Sequence, residues 1–273
     1  MNIIHIDDFS EVNDPVKTEE TIQKQLIDRQ HEINTEYSYV RIPLAFWINT
    51  KGIAETQKII NNVCRENEDK KLFFVCQHIL VNRIKFHGHL VFTPHATLFD
   101  SYQAIPHYSC NYDVKFSKDW KEREYTFSFI GSFQTHPVRK RLYDALKDRN
   151  DCLILDTGGW HFESDKKKQE QNAIKYIEVL GNTKYSLCPR GTGPSTIRMW
   201  ESMAMGSKPT ILSDTLKYPL EFYLETELWE NISENFSIDT FEQSKWNGSE
   251  YSNSEYFKYF DNDNLFISIV RQL

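Results

Sequence analysis

No stretch of this chain approaches the ~20 consecutive apolar residues that a membrane-spanning helix needs, so no transmembrane segment is expected. The opening MNIIHIDDFSEVND is acidic and has no basic segment followed by a long apolar run, which argues against a secretory leader. Cysteines are few. Cys64, Cys76, Cys110, Cys152 and Cys188 are odd in number and widely spaced, with no CxxC or metal-ligand pattern. Reduced thiols and a cytoplasmic location are therefore expected, and no metal site. An excess of positive charge is missing too. Lys and Arg number 32 against 39 Asp and Glu, for a formal net charge of −7. That argues against a general polyanion binder held by counterion release, and no nucleic-acid partner is expected. Any anion must be held by a local constellation. The 10 glycines and 9 prolines show no short repeat, which removes collagen-like and low-complexity readings.

What is present is ordinary globular material. With 273 residues, one or two domains are expected. Aromatic residues reach 14%, which suits sugar stacking as well as plain core packing. Short apolar runs alternate with helical patterns. Strands are predicted over 2–7, 39–47, 72–76, 90–92 and 104–105, and helices over 18–30 and 53–66. A polar stretch at 111–124 reads as a joint. The alternation then restarts, with strands at 126–130, 152–155, 185–188 and 209–212. Helices are predicted from Pro137 to about Lys147, over 168–180, and over 195–205. Alternation of this kind implies parallel sheets. The expected fold class is α/β, with two Rossmann-like domains facing a cleft. The expected division is 1–122 for the first domain, 123–250 for the second, and 251–273 for a closing helix.

The chemically informative stretch is 184–214, KYSLCPRGTGPSTIRMWESMAMGSKPTILSD. It reads as strand, glycine loop, helix, glycine stop and second strand. Gly191 and Gly193 let backbone amides approach a ligand closely. A helix opening at Pro194, Ser195 and Thr196 leaves its first N–H groups free, which makes an anion site. Arg190, at the strand exit, can add a two-pronged charge. Arg198 and Glu201 lie three apart and share a helix face. The pattern is neither GxGxxG nor GxxxxGK. The residues by themselves point to a phosphate-bearing ligand at a strand's carboxyl end.

The string LCPRGTGPSTIRMWESMAMGSKPTILSD resembles the donor-domain signature of the exostosin-type glycosyltransferases. FSFIGSFQTHPVRKRLYDAL is similar to that family's Phe-x-Gly strand and Arg-bearing helix, and LFFVCQH to its strand ending in histidine. The resemblance is strong over 126–220 and faint over 70–110. It implies a GT-B architecture of compact form, with 1–122 the acceptor-side domain and 123–250 the donor domain, a nucleotide-sugar donor (a UDP-sugar), inversion at the anomeric carbon, and no obligatory metal or other cofactor. It implies that Arg190 and Gly191 meet the diphosphate with the Thr192, Gly193, Ser195 and Thr196 loop. Arg198 would support the same charge, Glu201 would bind the ribose, and Gly131 and Ser132 would lie beside the donor. The family's His-Asp pair is here His78-Ile79.

Transfer also needs a base for the acceptor hydroxyl. His78, at a strand's end, is the first choice, with His95 and Asp100 behind it. The function expected is thus an inverting glycosyltransferase acting on a glycan or glycoconjugate acceptor. The alternative is a sugar-nucleotide or glycan-binding module of the same fold without turnover.

Overall fold

The alternation of short apolar runs and helical stretches produces two parallel sheets. The computed structural model describes residues 1–6, 17–158, 166–224, 226–247 and 250–273. The chain divides into two units: Met1–Tyr108 with Thr215–Leu224 and Asn262–Leu273, and Ser109–Asp214 with Glu225–Asp261.

In the first unit the strands are β1 (Asn2–His5), β2 (Tyr37–Arg41), β3 (Lys71–Val75), β4 (Leu90–Thr93) and β5 (Gln103–Ala104), in the spatial order β1-β2-β3-β4-β5. Asp7, the expected end of the first strand, lies outside the described residues. Helix α1 (Lys17–Asp28) follows β1, and α2 (Leu44–Thr50) and α3 (Gly52–Glu66) follow β2. The sheet is buried on both faces, as parallel strands usually are. Successive side chains alternate between the faces. Tyr39, Phe73 and Phe92 pack with Ile22 and Leu26 of α1, while Val40 and Phe74 pack with Ile60 and Val63 of α3. The strand predicted over 39–47 is cut short at Arg41. Pro43 cannot donate to a sheet ladder, and Leu44, Ala45, Trp47 and Ile48 turn inward from α2 instead.

The second unit contains β6 (Tyr125–Ile130), α4 (Pro137–Leu146), β7 (Cys152–Leu155), α5 (Lys166–Gly181), β8 (Thr183–Pro189), α6 (Arg198–Ala204), β9 (Lys208–Leu212) and β10 (Glu230–Asn231). Its spatial order is β10-β9-β8-β6-β7, all parallel. The short α7 (Leu220–Leu224) returns to the first unit. The core is aromatic, with Phe127 packed edge-on to Phe241 and Trp246 at centroid distances of 5.4 and 5.0 Å.

Two expected boundaries differ. The chain changes unit between Tyr108 and Ser109, and the polar stretch at 111–124 belongs to the second unit. Buried Arg123 accounts for this. Its guanidinium donates to the carbonyls of Lys118, Thr183 and Met205 and to Ser117 Oγ. Nor is the tail one closing helix. It is α8 (Ser254–Tyr259) and α9 (Ile267–Val270), in different units. Phe260 packs on Trp200, whereas Leu265, Phe266 and Ile269 join the first unit's core. The intervening 261–264 is Asp-Asn-Asp-Asn, which offers no apolar face to continue a helix.

Candidate functional site

Strands β6 and β8 are spatial neighbours but not consecutive in sequence. From β6 the chain goes outward to β7 through α4 and then returns past β6 to β8 through α5. This is a topological switch point, where the connections diverge and open a crevice at the strands' carboxyl ends. The first unit's sequential strand order has none.

Gly131 leaves β6 on one side of the crevice, and Arg190-Gly191 leave β8 on the other. Both glycines let arginine side chains come close. A Cβ on Gly131 would lie 3.0 Å from Arg198 Nη2, and one on Gly191 would lie 2.9 Å from Arg139 Nη2. The guanidinium groups of Arg198 and Arg139 thus meet here, and Arg190 stands at the mouth of the β8 loop. Arg198 lies over the Phe129 ring at 4.4 Å and the Tyr176 ring at 5.2 Å, and donates from Nη2 to the Ile130 carbonyl. Its buried Nε has no partner among the described residues. Arg139 spans the crevice. Its Nη1 donates to the Ser132 carbonyl at 2.9 Å, and its Nε to the Arg190 carbonyl at 3.0 Å. Burial and the nearby Arg198 charge push its pKa down to about 10. Arg190 Nη1 lies 3.7 Å from Glu234 Oε1.

The loop after β8 differs from expectation. α6 starts at Arg198 rather than Ser195. Its first-turn amides are already engaged, with Met199 N bonded to the Thr196 carbonyl and Glu201 N to the Ile197 carbonyl. The positive character of the crevice therefore comes from arginine side chains more than from a helix end. Within the loop Gly193 and Ser195 are buried and Thr192 is exposed. Ser195 Oγ is buried without a partner among the described residues. Ser132 Oγ donates to the Gly158 carbonyl and accepts from Gln134 N, which holds the turn after β6.

Glu201 is only 3% exposed, and protein groups occupy both its oxygens where the resemblance implied a ribose. Oε2 accepts from Tyr176 Oη at 2.7 Å, while Oε1 accepts from Asn111 N at 2.8 Å and Asn111 Nδ2 at 3.0 Å. Burial raises its pKa against these donors. The carboxylate fixes Tyr176, which walls a cavity of about 290 Å³ beside β6 and β7 with Ile130, Leu155, Thr157, Asn172 and Lys175.

The candidate bases lie in the first unit, where His78 and Asp100 are engaged and His95 Nδ1 is buried with no partner among the described residues. His78 Nδ1 accepts from Leu80 N at 3.0 Å. Its Nε2 therefore carries the hydrogen and donates to Asn49 Oδ1, also at 3.0 Å. Burial lowers its pKa. Asp100 closes its own turn, accepting from Thr97 N and Oγ1 on Oδ2 and from Tyr102 N on Oδ1. Buried His95 is pushed down to about 4, mainly by desolvation, and packs edge-on to His107 at 5.0 Å. Among the described residues no group of His, Cys, Asp or Glu could hold a metal, and no helix is long and apolar enough to cross a membrane.

Sequence reasoning missed Arg139 as a site residue. The available signal was α4's inward stripe, Val138, Leu142 and Leu146, beside which Arg139 sits three residues before Leu142. Glu234 and His136 gave no such signal, because their partners are remote in sequence.

The second unit is a parallel α/β fold whose switch point is lined by arginine side chains. A model of the Exostosin GT47 domain matches residues 68–246, and the chain belongs to that family. It is 31% identical over 96 residues to ribitol-5-phosphate xylosyltransferase 1 of Danio rerio, covering 33% of this chain and 21% of that protein. It is 25% identical over 154 residues to the exostosin-1 homolog of Caenorhabditis elegans, covering 50% and 40%. The matches thus span less than half the length of either relative. The solved structure of WaaG, a glycosyltransferase involved in lipopolysaccharide biosynthesis, aligns at TM-score 0.43 and 11% identity, covering 100% of this chain and 99% of that one.

Proposed function

We propose that this chain is a glycosyltransferase that moves a sugar from a UDP-sugar to a hydroxyl of a glycan acceptor, with inversion at the anomeric carbon. The observation that carries the reading is the crevice between β6 and β8. The guanidinium groups of Arg139 and Arg198 and two glycines meet there, with Arg190 at its mouth, and Arg198 Nε and Ser195 Oγ have no partner among the described residues. The acceptor oxygen bonds to the anomeric carbon as the bond to the diphosphate oxygen breaks, and the acceptor proton passes to a base. Negative charge grows on the departing diphosphate. Donors already aimed there stabilise the transition state without reorganisation. Arg190 and Arg198 take that role. Arg139 holds the loops that carry the ligand, and Gly191 and Gly193 keep the loop low enough for contact. These cations can balance the charge without a metal ion, so UDP binding is expected to persist in chelator. Calorimetry with and without chelator checks this, and binding lost in chelator would refute the metal-free reading.

The decisive experiment incubates the protein with a panel of nucleotide sugars and glycan acceptors. Released nucleotide is measured, and the anomeric configuration of the product is read by proton NMR. A second reading, binding without turnover, is favoured by the engaged nitrogens of His78 and the turn-closing carboxylate of Asp100. UDP binding with no transfer from any donor would support it.

A further inference from the structure

Arg190 does not stand alone at the mouth of the β8 loop. Glu234, in the segment after β10, places Oε1 3.7 Å from Arg190 Nη1 and Oε2 3.8 Å from His136 Nε2. All three side chains are mostly enclosed, at 19%, 16% and 26% exposure for Arg190, Glu234 and His136. Glu234 is fixed by reciprocal capping. Asp214 N donates to Glu234 Oε1 at 3.0 Å, and Glu234 N donates to Asp214 Oδ1 at 2.9 Å. His136 is the N-cap of α4, and its Nδ1 accepts from Val138 N at 3.4 Å. The neutral ring therefore carries its hydrogen on Nε2, the atom facing Glu234.

We propose that His136 and Glu234 are part of the anion site at Arg190. A diphosphate seated there replaces Glu234 as the partner of Arg190 and is bound together with one proton, taken from solvent onto His136. This rests on the reading of the crevice as a diphosphate site. The groups facing His136 are Arg190 from the β8 loop, Glu234 from the segment after β10, and Arg139 and Arg141 on its own helix. Three are cations and one is an acid. With burial, the cations lower the imidazole pKa below its ordinary value, while Glu234 opposes them. An anion placed among these cations reverses the balance and favours imidazolium. Proton uptake is then linked to binding, and affinity rises as pH falls, by at most about tenfold per unit.

The test is calorimetry of wild type, His136→Asn and Glu234→Gln with pyrophosphate and with UDP, in buffers of different ionisation enthalpy, from pH 6 to 8. Asn retains the helix cap without the titratable ring, and Gln retains the acceptor for Asp214 N. Each ligand's own protonation is common to all three proteins, so differences report the protein. The expected result is that wild type takes up a fraction of a proton more than His136→Asn and gains affinity more steeply toward pH 6. Glu234→Gln should bind pyrophosphate severalfold more tightly, because the competing carboxylate is gone. Binding with identical proton counts in wild type and His136→Asn would overturn the proton linkage and leave the diphosphate reading intact. Weaker binding in Glu234→Gln would overturn the displacement. No binding of either probe to wild type would overturn both the linkage and the diphosphate reading.

Discussion

The two charged residues that dominated the sequence reading, Arg190 and Glu201, have different physical situations. Arg190 is at the crevice mouth, so Arg190→Ala should lower kcat by ~10²–10³ with a smaller effect on KM, because the leaving group carries more negative charge in the transition state than in the bound donor. Arg190→Lys should recover little, since a point charge cannot reproduce a two-pronged contact. Steady-state kinetics decides. A raised KM with kcat intact would make the contact uniform binding. Glu201 faces inward. Glu201→Ala removes the acceptor of Tyr176 Oη in the interior and of Asn111 N and Asn111 Nδ2 at a half-buried place. The expected cost is roughly 3 kcal/mol or more, read from the urea midpoint. A variant as stable as wild type would show that these donors find other partners.

At the scale of elements, the crevice depends on how α5 seats against the chain before β6. Gly181 ends α5, and a Cβ there would sit 2.2 Å from the Phe116 carbonyl oxygen. Backbone cannot yield as a side-chain tip can. Gly181→Ala should therefore destabilise by about 3 kcal/mol through overpacking, lowering the melting temperature. The neighbouring Gly206 has φ of 64°, a conformation in which glycine avoids a steric penalty. It follows α6 and lies close to the Arg123 guanidinium, so the bend and the buried arginine belong to one packing solution. An unchanged melting temperature for Gly181→Ala would mean that the chain near Phe116 shifts freely.

For the molecule as a whole, pH acts on stability through a buried carboxyl in the first unit and a half-exposed one in the second. Glu19 on α1 accepts from Gln77 N at 2.7 Å and Ala45 N at 3.1 Å, joining α1 to the start of α2 and the exit of β3. Burial raises its pKa to about 8, overriding those donors. In the folded state it holds its proton at pH values where the unfolded chain has lost it. Its contribution is full below the unfolded value of 4.5 and falls by up to ~1.4 kcal/mol per unit as pH rises toward 8. Asp151, held down to about 2 first by its bond with Arg149, acts in the opposite sense. Its contribution is present above the unfolded 3.8 and lost as pH falls toward 2. Urea midpoints for wild type and Glu19→Gln at pH 5, 6.5 and 8 isolate the first effect. The wild-type slope should be the steeper. Parallel slopes would refute a protonated Glu19.

Short apolar runs, Pro137 at a helix start and the Pro-Arg-Gly loop were legible from sequence, because local propensity and period-based burial fix them within a few residues. β6, β7, α4 and β8 follow that reading closely. Arg190 and Arg198 could be named because they flank the glycines of one continuous loop. The adjacency of β6 and β8 could not be read the same way, since parallel neighbours need not be consecutive and their pairing is set by packing of the whole sheet. Arg139 reaches a carbonyl 51 residues away, and Glu201 a backbone amide 90 residues away. No local pattern encodes such distances. The sequence by itself determined that a glycine loop flanked by Arg190 and Arg198 follows a parallel strand. Only the tertiary structure decided which charges surround it, because burial and long-range hydrogen bonds arise when remote segments share one interior.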